Sequence, residues 1–315
     1  MVEYNKVQLG RMAKQYGFVR DTLEKVIRLK EVLTYFNTES YLREHLALKG
    51  GTAINLTIFN LPRLSVDIDL DFTPNLPLQD MSEERKKITH LIQQYMKEEG
   101  YQLSDTSRYS HSLDALMFFY QNAGGNRDNI KIEINYSLRA HIFEPKEREI
   151  VTDIFEEKVT VRSLQAMEIY AAKTNALLSR AAARDLYDFN NMVKYDLFDE
   201  MEYELLRKCI VFYASISAEK INRTFDTSAI DNLSFANIRR DLFPVLRKKD
   251  HFDLEERKKS AKDFIHNLMM ISDAEKEYLD RFEKGEYKPE LVFEDDDILK
   301  NIKNHPMALW KMQEH

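Results

Sequence analysis

The stretch LKGGTAINLTIFNLPRLSVDIDLDF, Leu48 to Phe72, decides how this chain is read. Its end alternates Val66, Ile68, Leu70 and Phe72 with Ser65, Asp67, Asp69 and Asp71, the two-residue repeat of a strand with one buried face. Asp67 and Asp69 therefore project together, roughly 7 Å apart along the strand. Like charges so placed repel unless a cation neutralises them. A divalent metal that prefers hard oxygen ligands, Mg²⁺ first and Mn²⁺ second, suits such a pair and keeps positions open for water and substrate phosphates. The bland alternative is an acidic face turned to solvent, and for a lone Asp-x-Asp it is the commoner one. Upstream, Gly50 and Gly51 allow close backbone approach, and Thr52 adds a hydroxyl at the start of a short apolar helix, a cradle for phosphate oxygens. By itself that turn reads equally well as a packing glycine or a helix entry.

Outward from this stretch, Leu23, Val26, Ile27, Leu33 and Phe36 fall at helical spacing, and a short helix is expected just before Leu46. Downstream, Ala115 to Tyr120 and Ile130 to Tyr136 flank the turn-rich Asn122 to Asn126, which predicts an antiparallel hairpin. Glu133 alternates with Ile132 and Ile134, so it would add a third carboxylate if its strand pairs beside the aspartates. From Ser163, a candidate N-cap, the pattern is helical almost to the end, and Ser272 with Glu275 has capping-box spacing. The expected class is α+β: a small mixed sheet with flanking helices over residues 1–162, then a mainly helical domain over 163–315.

Composition narrows the function. A single cysteine, Cys209, allows no internal disulfide and fits a reducing cytoplasm; among apolar neighbours it reads as a small core residue. No apolar run approaches the roughly 18 residues of a membrane span. The net charge of −7 gives no global argument for nucleic-acid binding, so an RNA partner would need a local basic surface. The densest basic stretch, Arg239 to Lys259, reads as a solvated helix face ahead of an RNA-backbone contact. Glu294 to Asp297 reads as a solvated loop, and Trp310 as a C-terminal docking anchor.

A second constellation lies in AMEIYAAKTNALLSRAAARDLYDF, residues 166–189. On one continuous helix, Lys173, Arg180 and Arg184 would share a stripe with Leu177, and stacked cations ask for something anionic opposite them. A triphosphate, RNA phosphates or the sheet's own carboxylates would serve, as would an ion-pair network between domains.

The order apolar strand, Gly-Gly-Thr, short helix, Asp-x-Asp strand resembles the signature of polymerase-β-like nucleotidyltransferases. LKGGTAINL and RLSVDIDLDF, followed by AAKTNALLSRAAARDLYDF and the ending YKPELVFEDDD with NHPMALWKM, are similar to the AbiEii/AbiGii family, the toxin half of type IV toxin–antitoxin pairs. One departure is the 14 residues between Thr52 and Asp67, more than the superfamily usually has, with the excess placed at Asn60-Leu61-Pro62. The resemblance implies a metal-dependent enzyme of phage defence that moves a nucleoside monophosphate from a nucleoside triphosphate to an acceptor, the 3′ end of tRNA, and is countered by a cognate antitoxin. Asp67 and Asp69, with Glu133, would hold the metal. Gly50, Gly51, Thr52, Arg63, Ser65, Arg180 and Arg184 would lie along the nucleotide. The helix carrying Lys173 would join the active site, with Lys173 on the triphosphate and Asp185 orienting that helix; the share of Asp188 stays open. The rivals are transfer to a small molecule or a protein, and a non-catalytic nucleotide-binding module.

Overall fold

The computed structural model describes residues 5–152, 154–155, 157–217 and 222–313. The chain forms two compact units, one of Met1–Arg139, Pro145–Leu164 and Phe243–Asp250, the other of Ala140–Glu144, Gln165–Leu242 and His251–His315.

The first unit is built on one mixed sheet. Its strands are β1 (Leu46–Lys49), β2 (Asp67–Phe72), β3 (Gln102–Leu103), β4 (Arg108–Tyr109), β5 (Leu113–Gln121), β6 (Arg127–Asn135), β7 (Lys146–Glu149) and β8 (Thr160–Ser163). The order is β3-β5-β6-β2-β1-β8-β7, with β4 also on β5. β5 and β6 form the expected antiparallel hairpin, and β1 runs antiparallel to β2. β2 and β6 are parallel, which requires a long crossover; the helix Leu78–Glu98 lies within it. One face of the sheet is apolar: Ile68, Leu70, Phe72, Leu116, Phe118, Ile130, Ile132 and Ile134 are all buried. Asp114, on that face of β5, receives Arg85 Nε at 3.1 Å and Thr89 Oγ1 at 3.2 Å, so the helix Leu78–Glu98 covers it there. The helix Arg20–Thr38 buries its Leu23, Val26, Ile27, Leu33 and Phe36 stripe and packs on β6 and β8.

Among the described residues of the second unit the regular elements are all helices. Ser163 is not its N-cap. That hydroxyl bonds the Leu48 carbonyl at 3.0 Å within the sheet, and the helix Ala166–Arg180 starts after Gln165. Nor is the 166–189 stretch one helix: Ala181 takes a left-handed φ of 46°, and a new helix, Ala183–Lys194, carries Arg184 away from the Lys173 stripe. Ser272 and Glu275 form their capping box. The acidic run is not a loop to its end, because Asp295 caps a helix Asp296–Ile302. Trp310 is 44% exposed and Ala308 is the fully buried residue of its helix, Pro306–Gln313, whereas Cys209 is buried and its thiol pKa is pushed well up by that burial. Among the described residues no helix is long and apolar enough to cross a membrane.

Candidate active site

The sheet's second face carries the polar residues. Register across β1, β2 and β6 aligns Lys49 with Asp69 and Asp69 with Glu133, then Asp67 with Lys131 and Asp71 with Asn135. Residues opposite one another share a face, so Asp67, Asp69 and Glu133 stand together as the alternation predicts. Asp67, Asp69 and Glu133 are half-buried, while Asp71 is 1% exposed and ion-paired to Lys49 Nζ. Asp71 thus has a supporting place in the row. Glu133 pairs with Lys131 Nζ at 2.8 Å.

The Gly-Gly turn is fitted to this row. Gly50 leaves β1 at the level of Asp69 with a φ of 67°, a region that disfavours any side chain, and a Cβ there would stand 2.5 Å from Asp69 Oδ2. On the other side, a Cβ on Gly51 would stand 2.6 Å from Arg63 Nη2 and 3.2 Å from Ser65 Oγ. Gly50 is therefore demanded by both conformation and contact with the aspartate, while a side chain at Gly51 would make the buried Arg63 guanidinium shift. Thr52 is buried, with its hydroxyl 2.9 Å from Ser65 Oγ and bonded to the Asp67 carbonyl. Arg63, also buried, donates to the Leu64 carbonyl at 2.9 Å. Asn55 ties both sides together, donating to the Gly51 carbonyl at 2.8 Å and accepting from the Arg63 amide at 3.3 Å. In this structure Thr52, Arg63 and Ser65 clip the turn to the aspartate strand, and it is the backbone of Gly50 that lies beside the Asp69 carboxylate.

Among the described residues no three His, Cys, Asp or Glu side chains converge as a metal-holding group. Glu133 is turned to Lys131 and does not join Asp67 and Asp69 in one. The pair still fits a hard divalent cation by its chemistry: two carboxylates on one half-exposed face, with Asp69 seated against a glycine where any Cβ would displace it.

In the second unit, Lys173 Nζ sits 2.9 Å from Asp185 Oδ1 and 2.9 Å from Asp188 Oδ2. All three are buried, Asp188 completely. Asp185 and Asp188 lie in the first turns of the helix Ala183–Lys194, where its N-terminal dipole favours negative charge. Arg180, with its side chain 71% exposed, reaches Asp185 Oδ2 at 3.4 Å, and Arg184 Nε donates to the Asp241 carbonyl at 2.8 Å.

Lys49, Lys131 and Asn55 are the residues that sequence reasoning did not single out for the site. Lys49 immediately precedes Gly50 and Lys131 lies two before Glu133, so strand parity could have placed both on the carboxylate face.

The sequence model of the family described as "Nucleotidyl transferase AbiEii toxin, Type IV TA system" matches residues 31–295. The chain belongs to that family. It is a nucleotidyltransferase toxin of the type IV toxin–antitoxin class, and the match spans both the Gly-Gly/Asp-x-Asp face and the Lys173 cluster. Among solved structures, the chain is similar to MenT4, a nucleotidyltransferase toxin from Mycobacterium tuberculosis H37Rv, with a TM-score of 0.66 at 14% identity, over 98% of this chain and 99% of that one. At that identity the likeness establishes the AbiEii chain's α+β fold. No curated protein matches it in sequence.

Proposed function

We propose that this AbiEii toxin transfers a nucleoside monophosphate from a nucleoside triphosphate to the 3′ end of an RNA, tRNA being the leading acceptor, in a metal-dependent in-line displacement. The observation that carries it is the Asp67–Asp69 pair with the Gly50 backbone set against Asp69. Asp67 and Asp69 would hold Mg²⁺ or Mn²⁺, with Glu133 as a third ligand once its pair with Lys131 opens. Bound there, the cation supplies neutralisation of phosphate charge and a lowered pKa for the attacking hydroxyl. The amides at Gly51 and Thr52 bind the β- and γ-phosphates. The acceptor oxygen bonds the α-phosphorus as the α–β bridging bond breaks; pyrophosphate leaves with that electron pair, and the hydroxyl proton passes to water.

Lys173, positioned by Asp185 and Asp188, and Arg180 and Arg184 serve the triphosphate in the same reaction. A cognate antitoxin opposes this activity in the cytoplasm, where the chain acts in phage defence. The test is incubation of the full chain with α-labelled triphosphates, Mg²⁺ or Mn²⁺, and total RNA, protein or small molecules. Label is expected on RNA, at its 3′ end, and lost with chelator. Label on protein or small molecules alone would refute the acceptor, and triphosphate binding without pyrophosphate release would refute catalysis.

A further inference from the structure

The polar face of the sheet does not stop at Glu133. Ala115 of β5 registers with Glu133 and Met117 with Lys131, while Arg108 of β4 registers with Ala115. All therefore lie on the carboxylate face. Arg127, at the start of β6, has the same parity and lays its guanidinium 3.7 Å over the Phe119 ring. Along β5, Asp114, Leu116, Phe118 and Tyr120 are buried, but Ala115, Met117 and Phe119 are only half-buried. Arg108 and Arg127 are exposed, and neither is paired to an acid among the described residues. Glu133 is the one acid among the β4, β5 and β6 positions that share this shelf.

We propose that this shelf, with Arg108, Met117, Phe119, Arg127 and Lys131, is the subsite that docks the single-stranded 3′ end of the RNA acceptor. It rests on the nucleotidyl transfer to RNA proposed above and adds where the acceptor lies. In-line displacement puts entering and leaving oxygens on opposite sides of the phosphorus. The Gly-Gly turn follows β1, on one side of Asp67 and Asp69, and the shelf begins with β6 on the other. A triphosphate tail on the glycines thus leaves the β6–β5 side for the incoming hydroxyl. The charge fits as well: in a chain of net charge −7, three cations border an apolar strip, which matches a phosphate backbone carrying bases. A base stacks on an arginine plane or an aromatic face without sequence preference, and the Arg127–Phe119 stack offers both. The rival surface, the basic stretch from Arg239 to Lys259, interleaves its cations with Asp241, Asp250, Asp253, Glu255 and Glu256, and part of its charge is engaged. Arg240 pairs with Asp241, Lys258 is buried against Glu255, and Arg247 donates to the Leu61 carbonyl.

The test is transfer to a short single-stranded RNA by the full chain, with RNA KM, kcat and triphosphate Kd measured separately. Arg108→Ala with Arg127→Ala is expected to raise the RNA KM on the order of tenfold and to lessen the slope of log KM against log salt by about 1.4. Triphosphate Kd and kcat should stay within about twofold, as for a contact that binds ground and transition states alike. Phe119→Leu, which keeps apolar volume without the ring, is expected to raise the RNA KM several-fold on the order of a lost stack. A wild-type KM in the double arginine variant overturns the subsite alone, as does a raised KM only in Arg239→Ala with Lys259→Ala. A wild-type chain that labels no RNA overturns the proposed transfer and the subsite with it.

Discussion

The two charge clusters of this chain are built in opposite ways. On β2 and β6, half-buried acids line a strand face and a glycine backbone is held against one of them. In the second unit, a buried lysine lies between two buried acids at 2.9 Å each. A strand sends every second side chain to one face, so it gathers like charges at fixed spacing and leaves them partly in water, where they can take a ligand. A pair of successive helices can close acids around a cation and remove all three from water. Once that is done the charges depend on one another, because a buried charge left alone costs far more than a half-exposed one. Loss of a strand acid should therefore act on activity with little effect on stability, whereas loss of a buried helix acid should act first on stability, and through it on the lysine proposed to serve the triphosphate.

Two substitutions try to break that contrast. Asp69→Asn is expected to lower transfer by about 10³-fold, the loss of several kcal/mol of charge stabilisation. Its melting temperature should change little, since the Asp69 carboxylate is half-exposed and its replacement keeps the volume of the side chain. Asp188→Asn should do the reverse in order of effect. Removing one partner from the buried Lys173 cluster is expected to cost about 3 kcal/mol in denaturant unfolding. A destabilised Asp69→Asn together with a stable Asp188→Asn would show that the roles of the two clusters are exchanged.

A smaller effect separates backbone strain from site geometry within the first unit. Gly50 and Gly125 both have positive φ, 67° and 85°, but only Gly50 has a side chain where its Cβ would go. Alanine at either position is expected to cost about 1 kcal/mol from backbone conformation. Gly125→Ala should leave transfer unchanged, whereas Gly50→Ala should displace the Asp69 carboxylate and lower transfer on the order of a hundredfold. Equal transfer in the two would mean that the close approach to Asp69 does no chemical service.

The same contrast explains what could be read in advance. The alternation in Ser65 to Phe72 and the β5–β6 hairpin carry strong two-residue patterns, and both formed as expected. β7, Lys-Glu-Arg-Glu, is exposed at all four positions and has no apolar phase to detect; β3 and β4 have two residues each. The helix break was hidden because Ala181 and its neighbours are good helix formers, so nothing local announces the turn that brings Asp185 and Asp188 to Lys173. Ser163 misled for a similar reason: its partner, Leu48, is 115 residues away. Acids and glycines of the strand face were legible because their spacing is itself the signal. The clips from Thr52, Arg63 and Asn55 depend on how the turn folds back on β2, which no local pattern records.

Arg180 gives the smallest and most discriminating effect. Its side chain is 71% exposed and 3.4 Å from Asp185, the geometry of a surface pair that is worth little in water. Arg180→Ala is expected to change stability by less than about 0.5 kcal/mol. If the guanidinium also meets a triphosphate, as proposed, its loss should raise the triphosphate KM by roughly tenfold, the size of one charge-assisted contact. Arg180→Lys should recover part of that at low salt and little of it at high salt, because a point charge keeps the attraction but not the fork. An unchanged triphosphate KM in Arg180→Ala would make Arg180 a surface partner of Asp185 and confine the nucleotide contacts of this cluster to Lys173 and Arg184.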